Sequence, residues 1–246
     1  MCLDEITPHK GRGRFYLILS APELGLVLDV LPDRKKTSLD AWFSARGTAW
    51  CAQVEVCCAD MWLGYHAAAQ AGLPNTRLVV DRFHLAQRLS FAVSQARRAI
   101  QKAATPEVKA VLKGARWLLL KNREHLTAEE VQTLAAMLAC SPPLQLCYTL
   151  KEDLRAWFNT DCDRASAELG LTQWLERAQT SGLPAWRQFV QMMETWRDSV
   201  LNYFDGRPNN GFAEGVNLKI KLLNRRAFGY RNFESFRLHI LMAFGQ

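Results

Sequence analysis

The order of strand-like and helix-like segments in the first 81 residues is the feature that most constrains the fold of this chain. Short runs of β-branched, aliphatic and aromatic residues predict five strands, at residues 1–6, 14–20, 25–31, 54–60 and 76–81. Helical spacing predicts helices at 38–50 and 61–72, with Ser38 as the N-cap of the first. The order β-β-β-α-β-α-β indicates an α/β fold in which helices cover the faces of a mixed sheet.

Strand signals end at Asp81. A long helix with apolar residues at i, i+3 and i+4 is predicted at 83–103, and prolines then divide the chain into further helices. The predicted boundaries of these helices are near 107–122, 127–139, 144–158, 163–180 and 185–204. Two more helices are predicted near the end, at about 212–225 and 232–245.

Composition narrows the class of protein. The 246 residues are 49% hydrophobic, which excludes a disordered chain. The formal net charge of +7 suits a polyanionic partner such as nucleic acid. Seven cysteines without a C-x-x-C pair argue against a zinc ribbon or finger and predict free thiols in a reducing, cytosolic compartment. No apolar run is long enough for a membrane span, so we expect no membrane partner.

Three acids are notable for their positions. Asp4 lies in the first predicted strand, Asp60 ends the apolar strand "VEVCC", and Glu214 opens a helix that then carries basic residues. Each acid alone has a structural explanation, such as the N-cap role that an aspartate before a helix commonly plays. If the first strand pairs beside the fourth, however, Asp4 and Asp60 become neighbours, and a helix across those strands brings Glu214 to them. Clustered carboxylates favour hard divalent cations.

Several segments carry a resemblance to a known family. They include "LDEIT" at 3–7, "ADMWLGYHAAAQAGLPNTRLVVDRFHLAQ" at 59–87, "LKEDLRAWF" at 150–158 and "NNGFAEGVNLKIKLLNRRAFGYRNFESFR" at 209–237. In these segments, and over essentially its whole length, the chain resembles the catalytic part of the ISL-three type of bacterial insertion-sequence transposase.

The resemblance implies an RNase H-like DDE catalytic domain: an α/β fold with a five-stranded mixed sheet and a large all-helical insertion before the last acid. It places the catalytic core at 1–84 and 206–246 and the insertion at 85–205. Asp4, Asp60 and Glu214 take the metal-binding catalytic positions, for Mg²⁺ or Mn²⁺ and for two ions. Asp81 is either an outer partner of this site, an alternative ligand, or the cap of the helix that follows it.

The same resemblance implies DNA as the partner, both at the ends of the element and at the target, with a homodimer or higher assembly on the DNA in the bacterial cytoplasm and nucleoid. Candidate DNA-binding residues follow Glu214 in sequence: Asn217, Lys219, Lys221, Arg225, Arg226 and Arg231. His84 and Asn217 either line the site or have a hydrogen-bonded structural role. Glu5 points to the other face of a regular strand, so we expect a structural or outer role for it.

Related transposases carry an amino-terminal zinc-binding and helix-turn-helix region, which this sequence lacks before Asp4. The leading hypothesis is therefore the catalytic part of a DDE transposase, which cleaves and transfers DNA strands with divalent metal. The alternative is a truncated remnant that binds DNA without catalysis or inhibits an intact transposase. A nuclease of the same fold that selects branched or hybrid substrates is a third hypothesis.

Overall fold

The structure is a computed structural model that describes residues 1–7, 15–208 and 211–245. It divides into two compact units, which we call the sheet unit and the helical unit. The sheet unit comprises Met1–His84 and Asp198–Gln246, and the helical unit comprises Leu85–Arg197. Residue 14 of the second predicted strand and the "NN" at 209–210 lie outside the described residues.

The five predicted strands are confirmed. They are β1 Cys2–Ile6, β2 Tyr16–Ala21, β3 Leu26–Leu31, β4 Val56–Ala59 and β5 Arg77–Val80. They form one mixed sheet in the order β3-β2-β1-β4-β5, in which β1, β2 and β3 are antiparallel and β4 and β5 run parallel to β1. The run "VCCA" of β4 and the run "LVV" of β5 are apolar because a parallel strand is covered on both faces.

Thirteen α-helices are described. Their bounds are α1 Lys36–Arg46, α2 Thr48–Cys51, α3 Leu63–Gly72, α4 Arg82–Ala103, α5 Pro106–Val111, α6 Ala115–Leu120, α7 Ala128–Ala139, α8 Pro142–Asn159, α9 Arg164–Thr180, α10 Pro184–Thr195, α11 Arg197–Leu201, α12 Gly211–Arg226 and α13 Phe233–Phe244. Short 3₁₀ turns occur at Pro22–Leu24, Arg123–His125 and Asn202–Phe204. The mixed sheet and the helical unit between β5 and α12 define an RNase H-like fold with a helical insertion.

Alternation along the strands divides the core of the sheet unit into two layers. Leu3, Leu17 and Leu19 pack with residues of α1 and α3 on one face. Ile6 and Ile18 pack on the other face with residues of α12 and α13. Successive side chains of a strand point to opposite faces, so Asp4 faces α12 and Glu5 faces α3.

Three predicted helices are interrupted. The helix predicted at 38–50 begins earlier, at Lys36, and breaks at Gly47, whose φ is 81°. Ser38 is not its N-cap: it lies inside α1, and its hydroxyl donates to the Asp33 carboxylate at 2.6 Å. Gly114, with a φ of 83°, divides the helix predicted at 107–122 into α5 and α6. A left-handed φ ends a helix, and glycine adopts it at little cost.

The second part of the sheet unit begins earlier in the chain than residue 206, where the sequence predicts the catalytic core to resume. The helix predicted at 185–204 breaks into α10, α11 and the turn at Asn202–Phe204, and the sheet unit resumes at Asp198. Asn202 fixes this return, because its side-chain amide donates to the carbonyl of Leu78 in β5 at 2.8 Å.

Proline and capping residues set the helix starts in the helical unit. Pro106, Pro142 and Pro184 occupy the first turns of α5, α8 and α10, where their missing N–H is not needed. Thr127 and Glu130 form a reciprocal capping box at the start of α7. The side chain of Lys151, only 3% exposed, donates to the carbonyl oxygens of Leu119 and Lys121 at the end of α6.

Candidate active site

Neighbouring parallel strands bring Asp4 and Asp60 to the same region. β1 pairs with β4 in the register Leu3 with Ala59, and Asp60 is the residue that follows β4. Asp4 is 9% exposed, and its Oδ1 accepts a hydrogen bond from the backbone N–H of Glu5 at 2.7 Å. The pairing of the first strand beside the fourth, on which the sequence argument depends, is therefore confirmed.

Asp60 does not cap the helix that follows it. α3 begins at Leu63, its N-cap position is Trp62, and no side chain caps it. Asp60 Oδ1 instead accepts from the N–H of Met61 at 2.6 Å, and the carboxylate remains partly accessible, with its side chain 24% exposed. The N-cap role, which the sequence offers as a structural explanation for Asp60, is therefore wrong.

Asp81 follows β5 on the next strand along the sheet. It is 2% exposed, and its Oδ1 accepts from the N–H of Phe83 at 2.9 Å, which caps the start of α4. Its Oδ2 lies 3.8 Å from His84 Nε2. The capping role and the proximity to the other acids, which the sequence left as alternatives, occur together.

His84 lies between the three aspartates. Its Nε2 is 3.4 Å from Asp4 Oδ1, and its Nδ1 is 3.5 Å from Asp60 Oδ2. Burial by itself lowers the pKa of His84, but the hydrogen bond to Asp4 and the attraction of Asp60 and Asp81 outweigh it, so the pKa is raised overall. The surrounding carboxylates therefore make His84 easier to protonate than a free imidazole.

Glu214 approaches the cluster from the first turn of α12. Its carboxylate is half-buried, and burial together with repulsion from Asp81 and Asp4 raises its pKa, partly offset by His84. Glu214 lies about one turn before Asn217, whose side chain donates to Asp4 Oδ2, so α12 brings Glu214 toward Asp4. We call Asp4, Asp60, Asp81, Glu214 and His84 the acid cluster.

Asn217 connects α12 to Asp4. It is 7% exposed, and its Nδ2 donates to Asp4 Oδ2 at 2.6 Å. Its Oδ1 is buried and has no hydrogen-bond partner among the described residues, which is costly for an amide oxygen. Asn217 has the hydrogen-bonded role that the sequence left open beside DNA contact.

Glu5 and its partners lie on the opposite face of β1, as the sequence predicts. Tyr65 of α3 donates its hydroxyl to Glu5 Oε1 at 2.5 Å, and Arg34 forms a 3.5 Å ion pair with Glu5 Oε2. Burial and the hydrogen bond to Glu5 raise the pKa of Tyr65. Nothing in the sequence signals that Tyr65 and Arg34 hold the strand that carries Asp4.

The basic candidates after Glu214 are all exposed: Lys219, Lys221, Arg225, Arg226 and Arg231. Within the described ranges, none of them forms an ion pair with a carboxylate. At 3.6 residues per turn, Lys221 and Arg225 lie within about 20° of Glu214 around the helix, whereas Lys219 and Arg226 lie about 120–140° away. Only the first pair shares the stripe of Glu214.

The acid cluster as observed is not a preformed metal site. Among residues 1–7, 15–208 and 211–245, no three His, Cys, Asp or Glu side chains are arranged to hold a metal ion. The imidazole of His84 lies among the aspartates instead.

The fold, with Asp4 on β1 and with Asp60 and Asp81 directly after β4 and β5, defines an RNase H-like protein. Comparison with known proteins identifies its family. The family model of ISL3 (ISL-three) DDE transposases, described as "Transposase", matches residues 1–240. The chain belongs to this transposase family. In the described part of the chain, no helix is long and apolar enough to cross a membrane.

Two relatives illustrate the extent of the similarity. The chain is 30% identical to the transposase for insertion sequence element IS1001 of Bordetella parapertussis, over 99% of this chain and 60% of that protein. It is 28% identical to the transposase for insertion sequence element IS1557 of Mycobacterium tuberculosis, over 94% of this chain and 56% of that protein. The chain thus spans less than two thirds of the length of these relatives. No solved structure matches the chain.

Proposed function

We propose that this chain is the catalytic part of a DDE transposase, which cleaves DNA at the ends of an insertion sequence and joins the freed ends to target DNA with divalent metal. The observation that carries the proposal is the convergence of Asp4, Asp60 and Asp81 on His84, with Glu214 held near them by α12. Membership of a transposase family over residues 1–240 supports the same reaction class.

The donor set fits Mg²⁺ or Mn²⁺, although the cluster is not preformed. Carboxylate oxygens are the ligands that these hard cations prefer, and the buried Oδ1 of Asn217, which lacks a partner, is a further oxygen beside Asp4. Asp4, Asp60 and Glu214 are the residues that would hold two ions, with Asp81 as an adjacent partner. When bound, the metal supplies Lewis acidity for phosphoryl transfer.

The residues of the chain contribute orientation. The N–H of Glu5 and the amide of Asn217 fix both oxygens of Asp4, and the N–H of Met61 fixes one oxygen of Asp60. Carboxylates held in this way lose little freedom when a substrate arrives. Exposed Lys221 and Arg225, on the stripe of Glu214, are placed to contact the phosphates of the DNA.

The reaction that we propose has two displacements at phosphorus. In cleavage, the oxygen of water bonds to the scissile phosphorus, the bond from phosphorus to the 3′-oxygen breaks, and that oxygen leaves as a 3′-hydroxyl. In strand transfer, the 3′-hydroxyl loses its proton and bonds to a phosphorus of the target, whose own 3′-oxygen leaves. The handling of two element ends calls for at least two copies of the chain on the DNA.

Nicking and strand-transfer assays with Mg²⁺ and DNA that carries the element ends test the proposal. We expect Asp60→Asn and Glu214→Gln each to lower the rate by at least about a hundred-fold, a loss typical of a group that stabilises charge in the transition state. Glu23→Gln, a change of an exposed acid in the same unit, is the matched control and should leave the rate unchanged. Equal rates in the wild type and the two site variants would refute the assignment, as would a wild-type chain without metal-dependent activity.

A further inference from the structure

A strongly basic segment lies in the helical unit, separate from the candidate DNA-binding residues of α12. Residues 95–123 contain eight basic residues and one acidic residue, Glu107. The basic residues are Arg97, Arg98, Lys102, Lys109, Lys113, Arg116, Lys121 and Arg123. A local imbalance of this size calls for an explanation beyond the solubility of the chain.

None of the four arginines in this segment, Arg97, Arg98, Arg116 and Arg123, forms an ion pair with a carboxylate that the structure describes. Arg97, Arg98 and Arg116 are the three considered below. Elsewhere in the same unit, Arg155 pairs with Glu124 at 2.6 Å and Arg177 pairs with Asp153 at 2.6 Å. The helical unit therefore neutralises some of its arginines with carboxylates, whereas Arg97, Arg98 and Arg116 have no carboxylate partner among the described residues. We call Arg97, Arg98 and Arg116, with Lys102 and Lys113 beside them in sequence, the arginine patch.

Side-chain contacts hold Arg97 in place. Its Nη1 donates to Gln101 Oε1, and Gln101 Nε2 in turn donates to the carbonyl of Leu112 at 3.0 Å. The Gln101 amide thus connects α4 to the residue that ends α5, and the guanidinium of Arg97 holds that amide. The Nε of Arg97 is nevertheless buried and has no hydrogen-bond partner among the described residues. Because this Nε is buried, the guanidinium groups that can meet an external anion are those of the exposed Arg98 and Arg116.

Like charges surround the same guanidinium. Burial, followed by repulsion from Arg98 and Arg116, lowers the pKa of Arg97. Arg116 lies over the ring of Trp117, with 4.9 Å from its guanidinium carbon to the ring centroid, and the indole is 70% exposed. Clustered arginines without carboxylates destabilise the isolated chain, and an external anion removes that repulsion.

We propose that the arginine patch binds the backbone phosphates of double-stranded DNA, as a second DNA contact that does not involve the acid cluster. Arginine is suited to phosphate because its planar fork donates two hydrogen bonds at once. That the polyanion is DNA rests on the function proposed above. The binding itself rests on the unpaired guanidinium groups of the helical unit.

Equilibrium binding of the full chain to duplex DNA, without divalent metal and over a series of salt concentrations, tests the patch. We compare the wild type with Arg98→Gln/Arg116→Gln, which removes two exposed charges. The control is Arg177→Gln/Arg187→Gln, which removes two charges from α9 and α10 and so has the same net charge. We expect the patch variant to bind several-fold more weakly, and its plot of log K against log salt to be shallower by about two, or about 0.9 for each lost phosphate contact.

If the patch variant and the control variant lose the same affinity and show the same salt slope, the proposal is overturned. The loss would then reflect the net charge of the chain and not contacts made by the patch. The single variants Arg98→Gln and Arg116→Gln replace the double variant if its unfolding midpoint falls. A second readout uses the wild type: duplex DNA should protect Lys102 and Lys113 from acetylation, and equal modification with and without DNA would also overturn it. Because the binding assay contains no divalent metal, its result does not depend on catalysis. A failed strand-transfer assay would contradict the proposed function and leave the result for the arginine patch unchanged.

Discussion

At the scale of single residues, the orientation of the Asp4 carboxylate is set by groups that lie far from it in the sequence. The amide of Asn217, 213 residues away along the chain, and the imidazole of His84 both contact its carboxylate. A buried carboxylate that accepts two or three hydrogen bonds has a fixed rotamer. Asp4 is consequently held in one orientation before any ligand binds.

A second buried acid, Asp29, lies beside an arginine and not beside other acids, and it has a structural role. Arg237 donates to both of its oxygens, at 2.6 and 3.1 Å, and Trp42 Nε1 donates at 2.9 Å. Burial opposes ionisation of Asp29, but the bonds from Arg237, Val30 and Trp42 outweigh it and lower its pKa below 3.8. The pair joins α13 to β3 and has no place in the proposed chemistry.

We predict that Asp29→Asn lowers the free energy of unfolding by about 2 kcal/mol at neutral pH, the range for hydrogen bonds to a charged group. A lowered folded-state pKa stabilises the fold above the unfolded value of 3.8, and the contribution is lost as the pH falls through the folded value. The difference in the free energy of unfolding between wild type and variant should therefore be constant from neutral pH down to about 3.8, and it should shrink at lower pH. Denaturant unfolding across this pH range measures it.

The exposed Glu23→Gln serves as the control for this series and should show no difference at any pH. A wild-type advantage that is absent at neutral pH, or that persists unchanged well below 3.8, would contradict the role given to Asp29.

At the scale of elements, α12 has three different faces. Ala213, Val216 and Ile220 are buried on the sheet side. Glu214, Lys221 and Arg225 form one exposed stripe beside that buried face. Lys219 and Arg226 lie on another exposed face about a third of a turn away. The basic residues that follow Glu214 are thus not equivalent, although they are contiguous in sequence.

This arrangement predicts unequal effects of two matched double variants. Lys221→Gln/Arg225→Gln should weaken the binding of DNA and make its salt dependence shallower by about two, because two phosphate contacts beside the acids are lost. Lys219→Gln/Arg226→Gln removes the same charge and should change the slope by much less. The measurement is the Kd for duplex DNA over a salt series. Equal slopes for the two variants would show that the stripe has no special role.

The elements also show where sequence reasoning succeeds and where it stops. The strand "VCCA" and the residues "LVV" that follow Arg77 in β5 are predictable because strand residues buried on both faces are apolar. The breaks at Gly47 and Gly114 are not, because a left-handed φ leaves no mark on apolar periodicity. Asp4 and Asp60 follow from strand order, whereas the contacts of His84, Asn217 and Tyr65 depend on tertiary packing that no local pattern encodes.

At the scale of the whole molecule, the chain has two units with different uses of charge. The sheet unit gathers four acids and one histidine at its strand ends, although the chain as a whole carries a formal charge of +7. The helical unit carries the basic segment 95–123. A chain with a positive net charge and a local acidic cluster has the charges expected of a protein that holds a polyanion and cations.

Thermal unfolding of the full chain, with and without Mg²⁺ or Mn²⁺, tests the central claim that the acid cluster binds divalent metal. A ligand that binds only the folded state stabilises it by about 2.7 kcal/mol at about 100 times its Kd, which corresponds to a rise of roughly 5–10 °C in Tm for a chain of this size. We predict this rise for the wild type and for Glu23→Gln, and its loss in Asp4→Asn and Asp60→Asn. A wild-type Tm that does not respond to metal, or a rise that persists in both aspartate variants, would contradict the account.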